Sequence, residues 1–265
     1  MSARVIVITS GKGGVGKTTT TANIGAGLAS KGKKVLMIDT DIGLRNLDVV
    51  MGLENRIVYD LVDIIEGRCR SAQALIKDKR CANLSLIPAA QIRDKNDVNP
   101  EQMKELIEML KPDFDYILID CPAGIEQGFK NAISAADEAI IVTTPEISAT
   151  RDADRIIGLL EASDIKNYKL IVNRIRMSMV KEGNMLSVDD MLDILAIDLL
   201  GVIPDDETIV ISTNKGEPLV YKGDSLAAQA YKNIVERIEG NEVELLNLEV
   251  KNGFFDKIKK AFKRG

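Results

Sequence analysis

The chain contains no histidine and no tryptophan, and only three of its 265 residues are cysteine. Without histidine there is no Ser-His-Asp or Cys-His nucleophile, and the common imidazole metal sites are excluded. Cys69, Cys81 and Cys121 are far apart and form no CxxC pair, so neither a disulfide framework nor a zinc site is expected. No apolar run is long enough to cross a bilayer. The first residues lead into a strand-like run with no signal-peptide pattern, so a cytoplasmic protein is expected. Chemistry in this chain falls to Lys, Asp, Glu, hydroxyls, backbone N–H groups and a bound ion.

Forty-five per cent of residues are hydrophobic and 28% charged, the profile of a globular domain. Apolar runs at 5–9, 35–39, 84–88, 116–120, 139–143, 169–173 and 199–203 are continuous, not alternating, which suits parallel strands buried on both faces. Helical patterns fall between them at 18–30, 100–110, 128–136, 151–162, 187–195 and 225–238. The alternation predicts an α/β fold with a doubly wound, mostly parallel sheet and helices on both faces. Ligands of such sheets bind at the carboxyl ends of the strands. The predicted organisation is a P-loop ATPase domain over 1–238, an acidic linker over 239–252 and an amphipathic segment over 253–265.

The strongest motif is Gly11-Lys12-Gly13-Gly14-Val15-Gly16-Lys17-Thr18, a GxxxxGK[ST] loop between a strand and a helix. Glycines let backbone N–H groups curl around phosphate oxygens, and the helix that follows aims its positive dipole end at the same anion. Lys17 reaches the β- and γ-phosphates, the Thr18 hydroxyl ligates Mg²⁺, and Thr19 adds a second hydroxyl. Acidic residues end two further strands. Asp120 has the setting of a Walker B aspartate holding the Mg²⁺ shell, and Asp39 and Asp41 open the segment Asp39-Thr40-Asp41-Ile42-Gly43-Leu44-Arg45-Asn46-Leu47-Asp48. The plainer alternative is that these aspartates cap turns.

Lys12 is not required by the ordinary loop. With it, KGGVGKTT resembles the deviant Walker A motif of the MinD/ParA ATPases. DIGLRNLD and DCPAGIE extend the resemblance toward the branch of that family that selects the cell-division site. The resemblance implies that ATP pairs two copies and that Lys12 stabilises transition-state charge in the partner's site. It implies that Asp41 orients the attacking water while Asp39 supports the Mg²⁺ site. It also implies that Asn173 reads adenine, with Pro204 and Asp205 nearby. One string points elsewhere: Asn214-Lys215-Gly216-Glu217 is a near miss to the guanine-reading NKxD box.

Residues 253–265 carry five basic and one acidic residue, about +4, which leaves about −9 on the rest of a chain of net charge −5. On a helical projection Phe254, Phe255, Ile258, Ala261 and Phe262 share an arc of about 120°, with Lys257, Lys259, Lys260, Lys263 and Arg264 opposite. That is the pattern of an interfacial helix drawn to anionic lipid, although docking on the protein's own body fits the same residues. The family's division-site branch carries a comparable tail. In that branch the helix opening at Ser148 serves a MinC-like division inhibitor and a MinE-like regulator, which makes Arg151, Asp152 and Asp154 partner-surface candidates. A solvated helix face explains the same charges. The acidic body argues against nucleic acid as a partner, the expectation for a ParA-like partitioning ATPase. The cysteine spacing gives no signature for an iron–sulfur carrier.

Overall fold

The structure, a computed structural model, describes residues 2–93 and 97–248. The predicted tail residues Phe254, Phe255, Lys257, Ile258, Lys260 and Phe262 lie outside the described residues.

Among the described residues eight strands form one sheet: β1 (Arg4–Thr9), β2 (Val35–Asp39), β3 (Ile76–Lys77), β4 (Leu84–Ile87), β5 (Tyr116–Asp120), β6 (Glu138–Thr143), β7 (Tyr168–Ile175) and β8 (Leu199–Pro204). Their spatial order is β3-β4-β2-β5-β1-β6-β7-β8. All pairings are parallel except β3 with β4. The helices are α1 (Lys17–Ser30), α2 (Leu47–Met51), α3 (Leu61–Ile65), α4 (Ser71–Ala74), α5 (Pro100–Leu110), α6 (Gln127–Ser134), α7 (Ile147–Ala162), α8 (Met177–Lys181), α9 (Val188–Leu195), α10 (Glu207–Asn214) and α11 (Leu226–Ile238).

The continuous apolar strands are explained by a core on each face. Val5 and Val7 of β1 join Ile117 and Ile119 of β5 in a core closed by residues of α5, α6, α7 and α9. Ile6 and Ile8 point the other way, with Leu118, Ile140 and Val142, into a core covered by α1 and α11. Alternate residues of one strand therefore serve two hydrophobic layers, and most of the buried polar strand residues, such as Thr9, Asp39, Asp120 and Thr143, stand at the carboxyl ends. Local chemistry sets the helix ends. Asn99 and Gln102 form a capping box around Pro100 at the start of α5, and Ser187 and Asp190 do the same for α9.

The predicted fold class is confirmed, with one strand more than the seven runs suggested. The α7 helix starts at Ile147, one residue before the Ser148 opening and four before the periodic run at 151–162. The described part of the acidic stretch after α11, 239–248, packs on the body. Leu248 is buried, Leu246 packs on the α1–α11 core, and the Val243 carbonyl accepts from the Arg237 guanidinium at 2.7 Å. No described helix is long and apolar enough to cross a membrane.

Candidate phosphate and metal site

Strand β1 lies at the centre of the sheet, between β5 and β6, and delivers the glycine loop to its carboxyl edge. Two backbone positions in the loop are left-handed, Gly14 at φ 77° and Gly16 at φ 99°. Gly16 is also the N-cap of α1, so this turn aims the helix's first N–H groups back into the loop. Two outside elements fix it. Asn173 of β7 donates from Nδ2 to the Val15 carbonyl at 2.8 Å, and a Cβ on Gly16 would lie 2.4 Å from that nitrogen. A Cβ on Gly11 would lie 2.4 Å from the Asp152 carbonyl oxygen, so the loop and α7 meet at backbone contact.

Lys17 is buried and sits close enough to Asp120 to lower the carboxyl's proton affinity. Asp120 accepts from the Thr21 hydroxyl at 2.9 Å and also engages the Thr18 side chain. Asp39 and Asp120 are register partners on β2 and β5. Both Asp39 oxygens are taken by the backbone of the loop beyond. Oδ1 accepts from Asp41 N at 2.9 Å, and Oδ2 from Asn46 N and Leu47 N, each at 3.1 Å. Burial raises both carboxyls above the usual range, and mutual repulsion adds to it for Asp39. Burial also pushes the Cys121 thiol up to about 12, which leaves it inert as a nucleophile.

This donor set fits Mg²⁺. A hard cation takes oxygen ligands and keeps much of its water, needing only one or two carboxylates and the phosphates. Thr18 and Asp120 are the residues that would hold the ion, Asp120 through its water shell, and the buried carboxyl of Asp39 beside them is what a divalent cation would neutralise. Asp39 holds the backbone of the following loop through both of its oxygens. Among the described residues no cluster of three acidic or cysteine side chains forms a metal cage.

The remaining expected residues divide. A cavity of about 1030 Å³ opens beside the loop, lined by Gly16, Thr19, Glu146, Asn173, Arg176 and Asp205 among others. Pro204 does not line it, but borders an adjoining cavity of about 650 Å³ together with Asp205. Both polar atoms of Asn173 have protein partners, Val15 O and Arg174 N, so it braces the loop. Arg176 pairs with Asp205 at the edge of the large cavity, a contact that no local pattern signalled. The near-guanine string lies away from the loop. Gly216 packs against Gly52, its carbonyl accepts from Arg80 at 2.6 Å, Glu217 pairs with Lys222, and none of the four residues lines the cavity.

Lys12 stands apart from Lys17. Its side chain is 44% exposed, and its Nζ lies 3.3 Å from both a Glu146 oxygen and the Ser148 hydroxyl, at the start of α7. Arg151 and Asp154 on that helix are exposed, and Asp152 is half-buried against Gly11.

Comparison with known proteins agrees with this geometry. A family model described as an AAA domain matches residues 3–175. The septum site-determining protein MinD of Synechocystis is 60% identical over 245 residues, covering 92% of each chain. A solved MinC:MinD cell division protein complex from Aquifex aeolicus aligns with a TM-score of 0.87 at 53% identity, over 92% of this chain and 99% of that one. The septum site-determining protein MinD from Pyrococcus horikoshii, complexed with Mg-ADP, aligns with a TM-score of 0.82 at 34% identity, over 89% and 96%.

Proposed function

Because the chain belongs to the MinD family of septum site-determining ATPases, we propose that it is an ATP-hydrolysing switch whose ATP-bound form pairs and attaches to a membrane. The loop from Gly11 to Thr19 holds the phosphates, and Lys17 neutralises their charge. Mg²⁺, held through Thr18 and Asp120, supplies charge neutralisation at the β- and γ-phosphates. Asp41 orients the attacking water.

One observation carries the reading. Lys12 belongs to the phosphate loop, yet its ammonium lies on the protein's rim with a half-exposed partner, Glu146. A lysine serving its own nucleotide would be turned inward as Lys17 is. One at the rim is suited to a second copy's nucleotide, where it stabilises the leaving charge as an arginine finger does. Exposed pairs of this kind are weak, so releasing Lys12 from Glu146 costs little.

Pairing couples to the membrane through the tail. One short amphipathic helix binds lipid weakly, because ordering it offsets much of the gain from burying its phenylalanines. Two tails on one dimer bind cooperatively. The protein is thus peripheral on the inner face of the plasma membrane while ATP lasts, and hydrolysis releases it. The MinC:MinD relative supports a MinC-like division inhibitor as partner, and the exposed face of α7 suits that inhibitor and a MinE-like regulator.

The test is co-sedimentation with anionic liposomes, with and without ATP, of the full chain and of one truncated before Gly253. Sedimentation that needs both ATP and the tail supports the proposal. Equal adhesion without nucleotide, or ATP-dependent binding to DNA in place of lipid, refutes it.

A further inference from the structure

The loop that carries Asp41 is held shut by a residue outside it. Asp41's carbonyl accepts from both Leu44 N and Arg45 N at 3.1 Å, which closes a tight turn. The turn ends with Arg45 at φ 41°, a left-handed conformation that a residue with a Cβ resists. Arg45 therefore needs an external hold. The Arg45 Nε lies 3.1 Å from Asp48 Oδ2, and Asp48 is completely buried. Burial disfavours the Asp48 charge, and the nearby Arg45 charge is the chief thing that offsets it, ahead of the N–H groups of Asp48 and Val49.

Asp48 stands on α2, and α2 is a fixed post. Its first residue donates to Asp39 at 3.1 Å. At its other end the Met51 carbonyl accepts from Arg80 at 2.6 Å, and Arg80 is itself bound to Asp78 and to the Gly216 carbonyl. The pair thus ties a strained turn to an anchored helix. We propose that Asp48 is a positioning residue for ATP hydrolysis: it captures Arg45, holds it left-handed, and so keeps Asp41 aimed at the γ-phosphate side of the site. The inference rests on the reading of Asp41 as the residue that orients water, and it deepens that reading.

The experiment compares variants of the full chain, with anionic vesicles and Mg-ATP. Asp48→Asn lowers kcat by about tenfold, the scale set by one left-handed residue, and leaves the KM for ATP within about twofold because the phosphate loop is untouched. Arg45→Ala does the same. Adding Arg45→Gly to Asp48→Asn restores most of the lost kcat, because glycine takes the left-handed turn unaided. A general packing defect would not be rescued by removing yet another side chain. Equal kcat for Asp48→Asn with and without Arg45→Gly, or unchanged kcat in Asp48→Asn, overturns the proposal. Hydrogen exchange separates this failure from failure of the Asp41 assignment. The amides of Leu44 and Arg45 exchange about tenfold faster in Asp48→Asn if the clasp exists, whatever Asp41 does. Unchanged exchange there overturns the clasp, whereas faster exchange together with normal turnover of Asp41→Ala upholds it and removes only the water-orienting role.

Discussion

Asn173 and Val15, 158 positions apart, are joined by a buried hydrogen bond of 2.8 Å between the Asn173 amide and the Val15 carbonyl. Strand β7 thereby braces the apex of the phosphate loop. Asn173→Ala leaves a buried carbonyl without its donor, at a cost of about 1–3 kcal/mol. Because the loop is most ordered when phosphate fills it, the loss falls largely on nucleotide binding. Isothermal titration with ATP should show affinity reduced by about tenfold or more, and a lower melting temperature.

Lys12→Ala leaves Lys17, Thr18 and Asp120 in place, so ATP still binds. Turnover should fall by about a thousandfold or more, the scale of a charge-stabilising group supplied in trans. Single-turnover hydrolysis beside equilibrium nucleotide binding separates the two effects. Normal turnover in this variant refutes the trans role.

Asp120 predicts an opposition between stability and activity. In an unfolded chain its carboxyl ionises near pH ~4. In the fold, burial keeps it protonated to higher pH. Between those two values the folded state holds the extra proton, so stability falls as pH rises through that window and is greater on its acid side. Asn in place of Asp keeps an acceptor for the Thr21 hydroxyl and removes the charge beside Asp39. The nucleotide-free Asp120→Asn protein should therefore melt a few degrees higher than wild type at pH 8, at about 2–4 °C per kcal/mol, with the gap narrowing toward pH 5. Its Mg²⁺-dependent ATPase activity should be lost. A variant that melts lower than wild type at pH 8 contradicts the assignment of buried repulsion.

Ile258→Glu places a charge in the centre of the tail's apolar arc. ATP-dependent dimers should still form in gel filtration, while sedimentation with anionic liposomes falls to the level of the truncated chain. Unchanged sedimentation rejects the tail as the lipid contact.

The parts of this fold that were legible in the sequence are those with a long signal. The seven apolar runs appear as strands β1, β2 and β4–β8, because a strand buried on both faces writes a continuous hydrophobic string. Strand β3 has two residues, too few to show any period. The α2, α3 and α8 helices have five residues each, little more than one turn, so no apolar stripe can repeat. Helix α10 contains Ile209, Val210 and Ile211 in succession, a run that favours strand by composition and becomes helical behind the Asp206 cap.

The site divides in the same way. Lys17 and Thr18 could be singled out because a phosphate loop is a local object with fixed spacing, and Asp120 because it ends an apolar strand; the fold brings Asp120 beside both. The second tasks of other residues were not legible. The bond from Asn173 to Val15, the pairing of Arg176 with Asp205 and the tie between Arg45 and Asp48 depend on tertiary approach or on a side chain's direction, which spacing does not encode.

The backbone contact of Gly11 with Asp152 leaves no slack between the phosphate loop and α7. A cushion of side chains would absorb small movements of one against the other. Two touching backbones transmit them. Any displacement of Gly11 would therefore press directly on the backbone of α7 at Asp152, and any displacement of α7 on the loop.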